Sequence, residues 1–274
     1  MTPAELAKPS MAVRWLSRRA YFIRKTLNIF EMEMRKLRHE PTDLFTRAIQ
    51  PLLWLVIFGQ VMAGIRAIPT GNFDYLAFMA PGVLAQSVLF VSIFYGLSII
   101  WERDLGIIHK FLASPAPRAA LVLGKGLSAG ARGLSQAVVV ILLASILGVQ
   151  VNLNPLNLLG ILAAVLVGAI TFSTFSLLIA LWVKTRERFM GVGQVITTPL
   201  FFASNAIYPI DLMPGWLQAI AHLNPLSYMV DALRSLMLPG SASVFGLGTD
   251  FGVLIVVSAV LVWIAGKRYP RFVI

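Results

Sequence analysis

The chain has 274 residues, of which 58% are hydrophobic and only 13% charged, with a net charge of +11 and no cysteine; its mean hydropathy is +0.80. A soluble domain carries apolar residues nearer half and charges nearer a quarter, and it has too little interior to hide this much apolar surface. An ordinary water-soluble fold, a disulfide framework, thiol catalysis and a cysteine metal site are therefore excluded, and the bilayer is the natural solvent. In that solvent the basic excess points to the cytoplasmic face and its anionic lipids rather than to nucleic acid.

In chain order, the first feature is a basic amphipathic helix. Ile23, Leu27, Phe30, Met34 and Leu37 recur at helical spacing among Arg24, Lys25, Arg35, Lys36 and Arg38, and Pro41 closes the run. Such a helix lies in the interface plane of a membrane. Residues 1–41 form a cytoplasmic segment and 42–274 a transmembrane domain. The first 40 residues lack a short apolar core before a small-residue cleavage site, so no cleaved signal peptide is expected.

Six segments approach the roughly 20 apolar residues that cross a bilayer: about 45–65, 75–100, 120–149, 156–183, 189–208 and 249–266. The fifth is the weakest, because Gly191, Gly193, Gln194 and Pro199 interrupt it. With the N-terminus inside, 21 of the 23 Lys and Arg fall in cytoplasmic segments, leaving only Arg66 and Arg234 outside. The positive-inside rule thus puts both termini in the cytoplasm. The third segment opens with Ala120, Gly124, Ser128, Gly130 and Gly133. That spacing either lets helices approach closely or reflects general looseness at a membrane entrance.

Between the second and third spans stands "WERDLGIIHKFLASPAPRAA", residues 101–120. At about 100° per residue, Trp101, Leu105, Ile108 and Leu112 share a face, while Glu102, Arg103, Gly106, His109 and Lys110 lie mostly opposite. The segment reads as a surface helix over 101–114, ended by Ser114-Pro115. It is either a solvated loop with some amphipathic character or a docking element for a soluble partner.

Before the last span, residues 205–240 are too interrupted to cross and too apolar for a free loop. Pro214 suits the first turn of a helix carrying Trp216, Leu217 and Ile220. Asn224-Pro225 makes a break. A second helix then carries Leu226, Met229, Val230, Leu233 and Met237 on one side, until Leu238-Pro239-Gly240. Two short helices with a tight break suggest a hairpin dipping into the outer leaflet, acting either as a stabilising cap or as an outer gate that includes Tyr208.

Much chemistry is missing. No G-x-x-x-x-G-K-[ST] occurs, so nucleotide energy must come from another subunit. The middles of the spans carry no acid, Lys or His, which argues against an ion-coupled carrier. His39, His109 and His222 are too scattered for a metal site, and no nucleophile stands near a base, which argues against a lipid enzyme.

Two stretches carry a family resemblance. "ERDLGIIHKFLASPAPRAALVLGKGL" (102–127) and "SNAIYPIDLMPGWLQAIAHLNPLSYMVDALRSL" (204–236) resemble the transmembrane subunits of ABC-2 type transporters, particularly the daunorubicin-resistance-type export permeases. The resemblance implies an all-α polytopic fold with six spans, an interfacial helix, a coupling helix and an external re-entrant pair. It implies no ATPase in the chain, with ATP and Mg held by two copies of an ATP-binding subunit, and a second permease, identical or a paralogue. It implies a multi-pass subunit of the bacterial inner membrane. Carried onto this sequence, the ATPase contacts are Glu102, Arg103, Asp104, Gly106 and Lys110, with Arg186 in the short 184–188 loop as a smaller one. The external gate takes Tyr208, Pro214, Trp216, Asn224 and Pro225. The substrate path, lined by the first, second and fifth spans, offers Phe78, Phe90, Phe94, Phe201 and Phe202, although aromatics there also serve as packing. The expected cargo is hydrophobic or amphipathic, with lipid-linked glycan as the alternative.

Overall fold

The structure is a computed structural model that describes residues 11–39, 46, 49–65, 68–71, 73–108, 113, 116–183 and 185–269. The described residues form helices and turns with no strand. In chain order these are α1 (Met11–His39), α2 (Ile49–Ile65), α3 (Tyr75–Tyr95), its continuation α4 (Leu97–Asp104), α5 (Arg118–Ile146), α6 (Pro155–Ala180), α7 (Arg186–Phe202), α8 (Gly215–Leu223), α9 (Pro225–Met237) and α10 (Leu247–Arg268). Four of them are long and apolar enough to cross a membrane: α3 with α4 (Tyr75–Asp104), α5, α6 and α10.

These four match the second, third, fourth and sixth expected segments. Within the other two expected segments, the described residues give α2 over Ile49–Ile65, with Thr46 also helical, and α7 over Arg186–Phe202. At about 1.5 Å per residue, these described stretches each reach roughly 26 Å, against a hydrocarbon core of about 30 Å. In α2 the stretch Trp54–Gly59 is wound as a π-helix, and α7 carries Pro199 and turns aside after Phe202.

The centre of the bundle is α3. Most of its spanning window is buried (78%), against 22% for α10, and α5, α6 and α9 pack around it. The small residues of α5 do bring helices close. A Cβ on Gly124 would stand 2.6 Å from Ile29 of α1, and one on Gly130 2.7 Å from Leu166 of α6. Ala120 and Ser128 are fully buried.

The 205–240 stretch resolves as the Pro and Asn signals suggest. Pro214 caps α8, Asn224 separates α8 from α9, and α9 ends at Met237. The two helices differ in fate. Leu226, Met229, Val230, Leu233 and Met237 of α9 are completely buried, whereas Trp216, Ile220 and Leu223 of α8 are exposed.

Helix α1 has three faces. Ile23 and Leu27 are exposed, with Phe30 and Met34 half-buried beside them. Arg24, Asn28, Glu31 and Arg35 occupy an exposed polar side. Thr26 and Glu33 are buried, on the side that meets α5. An apolar stripe, a charged stripe and a protein-facing stripe on one cylinder suit a helix at the boundary of protein, lipid and water. The side chain of Leu37 lies outside the described residues.

Candidate functional site

The charged end of the bundle is built around Lys125. This lysine stands two turns into α5 and is 1% exposed. Its Nζ lies 2.7 Å from Glu102 Oε1 of α4 and 3.5 Å from Glu33 Oε1 of α1. Lys36 bridges the same two carboxylates, at 3.1 Å from Glu33 and 3.3 Å from Glu102. Isolated buried charges are prohibitively costly, so each of these groups requires the others. Burial pushes the Glu33 carboxyl up, but the neighbouring Lys125 and Lys36 outweigh it and hold the group below its ordinary range.

This cluster changes the reading of the 101–114 segment. The helix of the second span runs on through Asp104, and Gly106, at φ +69°, turns the chain. That backbone conformation cannot continue a right-handed helix, and a glycine adopts it without strain. The segment is therefore not one unbroken surface helix. The expected charged face departs at Glu102, which is turned inward because Lys125 needs it, while Trp101 and Leu105 are 48% and 68% exposed. Ile108 is buried as expected. Lys110 lies outside the described residues.

Two expected contact regions do come together. Arg186 Nη2, at the start of α7, is 3.1 Å from Asp104 Oδ2, and its guanidinium carbon sits 3.4 Å over the Trp101 ring. Arg103 Nε lies 3.7 Å from Asp104 Oδ1. The result is a partly exposed patch of Trp101, Asp104, Leu105 and Arg186. Beside it an open cleft of about 900 Å³ lies between α1 and the α3–α4 helix, lined by Met32, Lys36, Phe94, Trp101 and Arg132 among others.

The five phenylalanines of the expected path occupy three places. Phe78 is buried beneath Arg234, 3.8 Å from its guanidinium carbon. Phe90 and Phe94 stack on α3 at 6.0 Å. Phe201 packs edge-on against Trp54 of α2 at 5.4 Å, with Phe202 at 5.4 Å beyond it. Trp54 and Phe58, 5.0 Å apart in the π-helical stretch, complete that cluster. They were not singled out in the sequence, because nothing local marks the π-helical stretch that carries them.

At the opposite end, side chains hold backbone instead of opposing charges. Asn224 Oδ1 accepts from Leu226 N at 3.0 Å, capping α9. Its amide donates to Leu200 O at 2.7 Å and to Ala203 O at 3.1 Å, satisfying carbonyls left open at the end of α7. The Asn224-Pro225 break thus ties the α8–α9 turn to α7. Arg234 is 7% exposed and donates to Asn205 O at 2.7 Å and to Phe78 O at 3.3 Å. Tyr75 donates to Ile207 O at 3.1 Å. A Cβ on Gly82 would stand 2.2 Å from Ala206 O, so only glycine lets the 203–208 turn lie against α3. Tyr208 donates to Phe202 O, and Trp216 is 68% exposed on α8.

The comparisons with known proteins agree with this architecture. A family model described as "ABC-2 type transporter" matches residues 25–238. A ycf38 transport permease of Cyanophora paradoxa is 31% identical over 79% of this chain and 75% of its own length. The daunorubicin resistance ABC transporter permease protein DrrB1 of Streptomyces coeruleorubidus is 29% identical over 89% of this chain and 84% of its own. The inner membrane transport permease YadH of Escherichia coli is 29% identical over 74% and 78%.

Proposed function

The chain belongs to the ABC-2 type transporter family, and on that premise we propose that it is the membrane subunit of an ATP-driven exporter. It is a multi-pass transport permease. ATP and Mg are held by a separate ATP-binding subunit present in two copies, and a second permease, identical or paralogous, completes the assembly. Residues around 101–106 and Arg186 face the cytoplasm, both termini lie on that side, and α2 and α7 supply the two remaining crossings.

The observation that carries this reading is the patch of Trp101, Asp104, Leu105 and Arg186. Large apolar side chains are left exposed there, at the end of the molecule where the basic residues gather, on an element braced from behind by the Glu102–Lys125–Glu33 cluster. An exposed apolar pair ringed by charge suits a protein partner. The bracing lets a push on the patch reach α1, α4 and α5 together. Asp104, Leu105 and Arg186 are the contacts, with Arg103 beside them. Glu102 supports the patch from inside, and Gly106 supplies the turn.

The cargo is hydrophobic or amphipathic. The cleft beside α1 combines Phe94 and Trp101 with the cations Lys36 and Arg132, which suits a molecule with an apolar body and a polar or anionic head. Exposed apolar residues of α2 and α7, including Ile57, Val61 and Val195, supply a face for the second permease and the route between the two. The exposed α8 with Tyr208, Pro214 and Trp216, anchored through Asn224-Pro225, forms the outer cap of that route.

The test is affinity purification of the tagged protein from its native membrane in gentle detergent, with mass spectrometry of what accompanies it. Wild type is expected to bring an ATP-binding subunit, and Leu105→Asp combined with Arg186→Ala to lose it while remaining folded. A folded permease that brings no ATPase would turn the reading towards an ATP-independent carrier.

A further inference from the structure

Far from the patch, two aspartates meet at a single hydroxyl. Asp231 of α9 is 1% exposed and Asp250, in the first turn of α10, is 0% exposed. Ser243, in the loop between those helices, places its Oγ 2.8 Å from Asp231 Oδ2 and 2.8 Å from Asp250 Oδ2. Gly246 N also donates to that Oγ at 2.7 Å. Phe245 N donates to Asp231 Oδ2 at 3.0 Å.

A hydroxyl has one proton to give and two lone pairs to receive. The Gly246 N–H takes one lone pair. The Ser243 proton can reach only one of the two carboxyls. The other carboxyl, at hydrogen-bond distance from the remaining lone pair, must itself be the donor, and so must be a carboxylic acid. Asp231 already accepts the Phe245 N–H, which marks it as the ionised member and leaves the proton on Asp250.

Two independent observations agree. Among the described residues no donor reaches Asp231 Oδ1 or Asp250 Oδ1. Two ionised carboxylates so starved of donors would be a costly exception to the rule that buried charge is satisfied. The charge count points the same way. The groups facing the pair from the packed elements are Arg234 on α9 and Asp211 across a cavity of about 200 Å³ that Asp231, Arg234 and Asn205 also line. His222 and Tyr228 meet the loop at Phe245, 5.4 and 4.8 Å away. Helix α6 has no charged residue, and the charges of α5, Arg118, Lys125 and Arg132, lie towards the other end. One buried cation, Arg234, therefore faces two buried acids, and one proton makes the group neutral.

We propose that Asp231, Ser243 and Asp250 form a proton-binding site, in which the two carboxyls share one proton through the serine hydroxyl and its release loosens the 239–246 loop from α9 and α10. The cavity gives water, and hence the proton, a way to Asp231. The coupled pair releases its proton as a unit. Because the folded pair holds a proton that the unfolded chain gives up near pH 4, the native state binds more protons above that pH. Stability is therefore full at low pH and declines as pH rises through the release point.

The test uses the full chain in lipid nanodiscs. Infrared spectra across pH 5–9 are expected to show a protonated-carboxyl band in wild type that fades as pH rises, with the melting temperature falling in step. Asp250→Asn, whose amide can donate to Ser243 permanently, is expected to lose the band and hold its melting temperature level across the series. Asp231→Asn is a second arm and is also expected to lose the band, because Asp250 then ionises beside Arg234. His222→Asn, which removes the neighbouring histidine, should leave the band and the slope unchanged. The proposal is overturned if wild type shows no band that either aspartate variant removes. It is equally overturned if sodium or potassium raises the melting temperature in wild type but not in Asp250→Asn, since a metal cation would then fill the gap. Should neither aspartate variant fold, a wild-type melting temperature level across the series would refute it, and a band fading in step with a falling one would support it.

Discussion

The two ends of this bundle handle buried charge in opposite ways. At the Lys125 end, cations and anions meet directly, and one lysine joins three helices through two carboxylates. At the Arg234 end, the buried guanidinium has backbone carbonyls as its hydrogen-bond partners, Phe78 O and Asn205 O. Opposite charges cross-link whole helices and transmit displacement between them. A cation on carbonyls instead secures irregular backbone, here the 203–208 turn, where regular hydrogen bonds run out. The difference fits an end that is pushed and an end that is held closed.

The largest expected effects break each end at its centre. Lys125→Met leaves Glu33 and Glu102 buried without their main cation. Removing one partner of a buried pair costs about 3–5 kcal/mol, so little folded protein should survive extraction. Adding Glu33→Gln and Glu102→Gln should restore much of the melting temperature, because the cost lies in uncompensated charge rather than in a lost bond. At the other end Arg234→Met should lower the melting temperature as well. There Asp231→Asn should restore only the part owed to the Asp231 charge that Arg234 faces, and the loss at the abandoned carbonyls should remain. A full rescue by Asp231→Asn would mean that both ends work by charge pairing alone and would remove the contrast.

Next in size is Asn224, whose side chain does two jobs that can be separated. Asn224→Ala removes the α9 cap, worth about 1 kcal/mol, and leaves Leu200 O and Ala203 O without their donor, at about 1–3 kcal/mol for a buried group. Asn224→Ser keeps a capping oxygen and loses the amide donors. The serine variant should therefore melt between wild type and alanine. Equal melting of serine and wild type would show that the tie to α7 contributes nothing.

Four of the crossing helices were legible in the sequence because hydropathy and length decide them locally. The breaks at Pro214, Asn224 and Leu238 were legible because proline and asparagine act on their own neighbours. The end of α7 and the winding of α2 were not legible: α7 stops at Phe202, where a side chain 24 residues away caps it, and the π-helical stretch of α2 leaves no mark in composition. The charged segment was legible as a place but not in its orientation. Glu102 looks like a solvated residue until Lys125 and Glu33 are brought beside it, and no periodicity encodes that meeting. The signal that could have found it was Lys125 itself, a lysine two turns inside an apolar helix, which demands a buried acid. Asp231 and Asp250 made the same demand in reverse.

The smallest effect on stability, and the sharpest for function, is expected at Arg186 and Asp104. Their side chains are 34% and 43% exposed, so water screens the pair and it contributes no more than about 1 kcal/mol. Resting the guanidinium on Trp101 adds about 0.5–1 kcal/mol at an exposed site. Arg186→Ala should therefore leave the melting temperature within a few degrees of wild type. If the patch is where an ATP-binding subunit pushes, the same change should strongly reduce transport in reconstituted membranes, because α7 and α4 would no longer move as one. Arg186→Lys separates charge from shape: a lysine keeps the ion pair but cannot lie flat on the indole while reaching Asp104. Transport at the wild-type level in the lysine variant would assign the coupling to charge alone. Transport reduced as far as in the alanine variant would assign it to the stacked geometry, and so to a rigid contact between the two helices.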